Sequence, residues 1–218
     1  MVIYGLIPLR KKSVRIKNKN FIKIKKKPLF MYATQQALNS KLISKVFIST
    51  DSNKVKMHNK KLFVIKRSKA STTRNASTEI LIEEFLKKYP CDYLVLIQAT
   101  NLFVKSEYLD KAINKLIKNT KKYDSLLSVV CSKYLIWKKR NNYIFSQNYD
   151  YKKRPRSQDI KQIEYIENGS FYIFKRKNFL KSKNRLHGKI TSFEMPKESI
   201  FEVDEKEDLN MVKKLITK

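Results

Sequence analysis

The chain has 218 residues, 42% of them hydrophobic and 11% aromatic, a length and composition that suit one well-buried core and exclude a disordered polymer. With 49 Lys and Arg against 19 Asp and Glu, the formal charge of +30 favours a polyanionic partner such as nucleic acid, an anionic membrane surface or a phosphorylated substrate. The lysines are scattered through every segment, so a solvated basic surface arising from compositional bias fits the same numbers.

In chain order, "VIYGLIP" is a short apolar run of β-formers and predicts a strand buried on both faces. The basic loop "RKKSVRIKNKN" follows. "PLFMYATQQALNSKL" carries Phe30, Ala33, Ala37 and Leu38 at helical spacing after Pro28, a favourable helix start. "KVFIST" predicts a second buried strand, with Asp51 behind it as the cap of a short helix, and "KLFVIKR" a third strand. "STEILIEEFLKKY" predicts a helix with Leu81, Phe85 and Leu86 inward, "DYLVLIQAT" a strand, and "SEYLDKAINKLIKN" a helix on Leu109, Ala112, Ile113 and Leu116. Strand and helix alternate, which indicates an α/β fold with a mostly parallel sheet flanked by helices.

From "DSLLSVVCS" onward the pattern changes. Strand-like pieces at "YIFSQN" and "EYIENGSFYIFKR" are separated by the polar stretch "YDYKKRPRSQDIKQ", which predicts an inserted hairpin or subdomain. "TSFEMPKESIFEVD" is extended, and "EKEDLNMVKKLITK" closes the chain as a helix with Leu209, Val212, Leu215 and Ile216 on one face. The expected division is an α/β core over 1–133, an inserted segment over 134–190, and a return to the core over 191–218. Cys91 and Cys131 sit far apart beside apolar runs and read as buried thiols of a reducing compartment, while His58 and His187 lack partners at metal-ligand spacing. No apolar run approaches the ~20 residues of a membrane span, so a cytoplasmic protein without a membrane partner is expected.

In α/β sheets, ligands bind where loops leave the carboxyl ends of strands, so the basic loop after the first strand stands at the default site. Arg10, Ser13, Lys19 and Asn20 offer a guanidinium fork, a hydroxyl, an ammonium and an amide, a suitable inventory for a nucleoside triphosphate. A loop bound to nothing, its charge simply solvated, has the same composition.

The chain resembles the acylneuraminate cytidylyltransferases, which make CMP-sialic acids, and is closest in wording to the animal-type enzymes. "IPLRKKSVRIKNKN" aligns without a gap to that family's IPARGGSKGIPGKN, keeping Ile7, Pro8, Arg10, Ser13, Ile16, Lys19 and Asn20. Ser49, Thr50 and Asp51 match its "STD", and Ile97 to Thr100 match its "IQAT" strand end. "KRPRSQD", "ENGSFYIFKR" and "FEMPKESIFEVDEKEDL" resemble later family stretches in wording and order.

The resemblance implies a Rossmann-like nucleotide-diphospho-sugar transferase fold and a reaction of CTP with an acylneuraminate-type sugar acid, giving a CMP-sugar and pyrophosphate. It implies that Arg10 and Lys19 are catalytic, holding the triphosphate and its developing charge, and that Ser13, Asn20, Arg67 and Thr78 contact the nucleotide. Gln98, Arg156, Asn168 and Tyr172 would meet the sugar. Glu202 and Asp204, where the family has two Asp, would share Mg²⁺ or Mn²⁺ from the same side of an extended segment. Asp204 and Glu207 also form a helix-capping pattern. The inserted segment would carry sugar-binding and dimerisation contacts, giving a homodimer with no specific nucleic-acid partner. Alternatives are activation of a related legionaminic, pseudaminic or octulosonic acid, or a degenerate, non-catalytic binder of polyanions. Two departures stand out: Lys11 and Lys12 replace the family's glycine pair, and Val14 its next lysine, leaving Lys11, Lys12, Arg15 or Lys17 to restore the charge.

Overall fold

A computed structural model describes residues 1–218 apart from Lys12, Val14, Lys56, Arg74, Lys161, Gln162 and Lys218, and only the backbone of Ser157 and Thr217. The strands are β1 (Ile3–Leu9), β2 (Lys23–Ile24), β3 (Lys27–Pro28), β4 (Lys45–Thr50), β5 (Leu62–Lys66), β6 (Tyr93–Ile97), β7 (Ser125–Ser132), β8 (Trp137–Arg140), β9 (Tyr143–Ser146), β10 (Glu164–Lys175) and β11 (Ile190–Met195). The helices are α1 (Leu29–Asn39), α2 (Lys69–Thr72), α3 (Thr78–Lys88), α4 (Ser106–Lys118), α5 (Arg176–Ser182) and α6 (Lys206–Thr217).

Seven strands form one sheet in the order β11-β7-β10-β6-β1-β4-β5. β1 pairs in parallel with β4 and β6, β4 with β5, and β7 with β11, while β10 runs antiparallel between β6 and β7. The central strands are apolar without interruption because both faces are covered. Along β1, Ile3, Ile7 and Leu9 join the layer under α1 and α4, and Leu6 joins the opposite layer under α3 and α5. β6 divides likewise, with Val95 and Ile97 on the first face and Leu94 and Leu96 on the second. Burying each such side chain stabilises the fold by about 1.5–3 kcal/mol, before the entropy of ordering it is deducted.

β10 is an element whose direction and neighbours the residue pattern does not reveal. Read as part of an inserted segment, it instead completes the main sheet, while β8 and β9 form a separate two-stranded hairpin. The short helix expected after Asp51 is replaced by turns, and the Asp51 carboxylate accepts a hydrogen bond from the Lys11 amide at 2.6 Å, tying the basic loop to the end of β4. At the start of α6, Asp208 rather than Asp204 does the capping. Its carboxylate accepts from the Asp204 and Glu205 amides at 3.0 and 2.8 Å, the reach-back half of a capping box. Cys91 and Cys131 are free and only half-buried, and burial pushes the Cys91 thiol up to about 12. Among the described residues, no helix is long and apolar enough to cross a membrane.

Candidate active site

A cavity of about 280 Å³ opens at the carboxyl ends of β1 and β6. The basic loop forms one wall. Arg10 leaves β1 and donates from Nη2 to the Ala76 carbonyl at 2.8 Å, and Asn20 donates back to the Arg10 carbonyl at 3.3 Å. Ile16 is buried with Leu102, Val203, Leu209 and Val212, so the loop is held by apolar packing between the strand ends and α6. Asn18 then adopts the left-handed conformation, with φ 55°, and a 3-10 turn over Lys19–Phe21 aims Lys19 and Asn20 at the cavity.

Arg67 follows β5 and forms part of the second wall. Only 5% exposed, it donates from Nε to the Ser71 carbonyl at 3.0 Å, leaving buried Nη1 without a partner. Burial, and then Arg10, lower its pKa to about 10, against the pull of Asp51 and Glu84, so it carries its charge at neutral pH. Thr78 opens α3 on the same side, and Gln98, Ala99 and Thr100 complete the lining from the end of β6. The Asn20 side-chain oxygen is buried and unpartnered like Arg67 Nη1. Both belong to residues that line the cavity, and neither has a partner among the described residues, although buried polar atoms are ordinarily paired.

The carboxylates stand at the edge of this cavity. The Val203 amide donates to the Thr100 carbonyl at 3.1 Å and the Val203 side chain is fully buried, which fixes Glu202 and Asp204 on either side of it. Glu202 accepts from the Thr100 hydroxyl, and burial, the largest effect, raises its pKa, with Asp204 adding to the rise and Lys19 and Arg15 opposing it. Asp204 accepts from Lys19 Nζ at 2.7 Å and pairs with Arg15 at 3.1 Å. Glu202 also lies against Gly169, at φ +62°, where a Cβ would stand 2.6 Å from its Oε2.

Seven of the residues singled out in the sequence thus line one cavity: Arg10, Ser13, Lys19, Asn20, Arg67, Thr78 and Gln98. Three of the expected sugar contacts lie elsewhere. Arg156 is exposed and pairs with Asp159 at 2.6 Å. Tyr172 is buried in β10, donates to the Glu167 carboxylate and lies under the Arg185 guanidinium at 4.7 Å; burial and Glu167 raise its pKa. Asn168 is 3% exposed with both ends of its amide engaged. Its nitrogen donates to Ser199 Oγ at 2.8 Å and faces Met195 Sδ at 3.3 Å, and its oxygen accepts from Ser128 Oγ at 2.6 Å and the Ser170 amide at 3.2 Å. It shapes the β10 bulge and has no free group for a sugar. Of the loop departures, Lys11 is exposed, while Lys12 and Val14 lie outside the described residues. Sequence reasoning missed Glu167 and Arg185, which become visible only when β10 and the segment after α5 come together around Tyr172.

The fold and cavity define an α/β protein with a cationic cavity at the carboxyl ends of its strands. Residues 4–218 match the family model described as cytidylyltransferase, and the chain belongs to that family. An N-acylneuraminate cytidylyltransferase of Escherichia coli O18:K1:H7 is 28% identical over 96% of this chain and 51% of its own length. One from Oncorhynchus mykiss is 30% identical over 93% and 47%. A pseudaminic acid cytidylyltransferase of Campylobacter jejuni is 28% identical over 95% of this chain and 93% of its own. The chain spans about half the length of the first two relatives. Among solved structures, a CMP:2-keto-3-deoxy-manno-octonic acid synthetase complexed with CTP shares the fold, with a TM-score of 0.70 at 15% identity over 100% of this chain and 99% of that one.

Proposed function

We propose that the chain transfers a cytidylyl group from CTP to a nonulosonic acid, an acylneuraminate in the first instance, releasing pyrophosphate. The observation that supports this most is the convergence of Arg10, Ser13, Lys19, Asn20, Arg67, Thr78 and Gln98, from separate elements, on one cavity. Arg10 and Lys19 hold the triphosphate and stabilise charge that develops as the sugar's anomeric hydroxyl attacks the α-phosphate and pyrophosphate leaves. Ser13 donates to a phosphate oxygen. Arg67 Nη1 and Asn20 Oδ1, buried donor and acceptor, fix the nucleoside, with Thr78 beside them. Gln98 faces the sugar, and Arg156, exposed and paired with Asp159, is the further candidate for its carboxylate.

Glu202 and Asp204 fit a hard divalent cation, Mg²⁺ or Mn²⁺. They flank the buried Val203, and among the described residues no group of three or more His, Cys, Asp or Glu side chains could hold a metal ion, so phosphate and water would have to complete the shell. Mg²⁺ commonly takes one or two carboxylates and completes its shell from phosphates and water. Bound there, the ion would neutralise charge on the phosphoryl oxygens. Both carboxylates are engaged in the empty protein, Glu202 by Thr100 and Asp204 by Lys19 and Arg15, so Asp204 becomes a ligand as those cations turn to the phosphates, and Glu202 reaches the ion across its extra methylene.

The partner is a second copy of the chain. The β8–β9 hairpin exposes Trp137, Tyr143, Ile144 and Phe145, with Tyr134 just before it in sequence and Tyr165 exposed on β10, apolar surface of the kind that marks a protein–protein contact. Activation of pseudaminic acid is the second reading, favoured by the Campylobacter relative. Pyrophosphate release from each of the four nucleoside triphosphates with a panel of nonulosonic and octulosonic acids tests both. Turnover with CTP and an acylneuraminate supports the first, turnover with CTP and pseudaminic acid alone replaces it with the second, and no CTP-dependent release contradicts both.

A further inference from the structure

Arg15 has no assigned role, and its position gives it one. It lines the cavity beside Arg10 and Lys19. Its Nη2 lies 3.1 Å from one oxygen of Asp204, while Lys19 Nζ lies 2.7 Å from the other. A second guanidinium nitrogen lies 3.8 Å from Glu205. One carboxylate therefore bridges two cations at the mouth of a cavity for a polyanion, the geometry in which two oxygens of a phosphate chain are held. The main chain on both sides is fixed, because Ile16, next to Arg15, and Val203, next to Asp204, are buried in the same apolar cluster. The Arg15 side chain is 58% exposed and free to swing without moving that framework.

We propose that Arg15 is a phosphate-binding residue that exchanges partners: in the empty protein Asp204 holds Arg15 and Lys19 as an internal anion, and the triphosphate displaces it. The proposal rests on CTP being the substrate. The loop's lost lysine position at Val14 is thereby compensated one residue further on, by a longer and always-charged side chain. The merely structural alternative is that Arg15 only pins the basic loop to the start of α6.

Calorimetric titration of the full chain with CTP, and with inorganic tripolyphosphate, in EDTA separates these. Arg15→Ala is expected to weaken both ligands about tenfold or more, as for loss of a charge-assisted hydrogen bond, and Arg15→Lys to recover part of the loss. Asp204→Asn is expected to tighten both ligands, and that gain to shrink in the Arg15→Ala, Asp204→Asn double variant, where only Lys19 is left to be released, whereas simple charge repulsion would leave it intact. Arg15→Ala with a lowered melting temperature but affinity within twofold of wild type overturns the proposal, as does an Asp204→Asn gain that is undiminished without Arg15. Wild-type binding of tripolyphosphate without CTP contradicts the CTP reading separately, since the Arg15 dependence is still read on tripolyphosphate.

Discussion

Arg67 shows what a single residue contributes to this site. It is an arginine packed almost wholly inside the protein, with Nε satisfied by the Ser71 carbonyl and Nη1 without a partner among the described residues. Lysine preserves the charge but cannot make both contacts from one ammonium group. Arg67→Lys is expected to raise the Kd for CTP about tenfold by calorimetry while the protein stays folded, and unchanged affinity would remove Arg67 from the nucleotide site. Arg67 was legible as a site residue because it follows a strand at a motif's spacing; its free nitrogen was not, because the Ser71 contact depends on how α2 turns. Asn168 is the opposite case. Its side chain is closed off by Ser128 and Ser199, 40 and 31 residues away, and nothing local to "ENGS" announces that.

Among the elements, the central parallel strands β1, β4 and β6 and the helices flanking them were legible because burial on both faces requires largely apolar runs, and helix packing requires three- and four-residue spacing. Strand direction leaves no such trace, so β10 read as an insertion when it is the antiparallel strand joining β6 to β7. Its register with β7 shifts between Glu167 and Tyr172, and Gly169 sits in that irregularity with φ +62°. The bulge brings this backbone against Glu202 and so couples the sheet to the carboxylate pair. Gly169→Ala places a methyl 2.6 Å from Glu202 Oε2 in a backbone conformation that alanine disfavours. It is expected to cost about 1–2 kcal/mol in chemical denaturation and to lower turnover by displacing Glu202. A variant as stable and active as wild type would show that the bulge does not position the site. The carboxylates themselves were legible as a pair, but the buried Val203 that sets them apart is what fixes their placement.

At the scale of the whole molecule, the sheet and the hairpin arm face different environments. The central strands of the sheet are covered on both faces, whereas Ile144 is 62% exposed and Trp137 43% on an arm whose strands pair only with each other. Light scattering after size exclusion is expected to give a dimer, and Ile144→Lys with Phe145→Lys a folded monomer; a wild-type monomer would leave the arm's apolar face without the proposed partner. The charge of +30 made a nucleic-acid partner arguable from composition, but the fold gathers Arg10, Arg15, Lys19 and Arg67 around one small cavity, which suits a triphosphate better than a duplex. The most direct measurement is mass-resolved product analysis after incubating the full chain with CTP, Mg²⁺ and an acylneuraminate. A CMP-sugar formed in equal amount to pyrophosphate is the expected result. Absence of any CMP conjugate with that acid, with pseudaminic, legionaminic and octulosonic acids tried in its place, would contradict cytidylyl transfer by this protein.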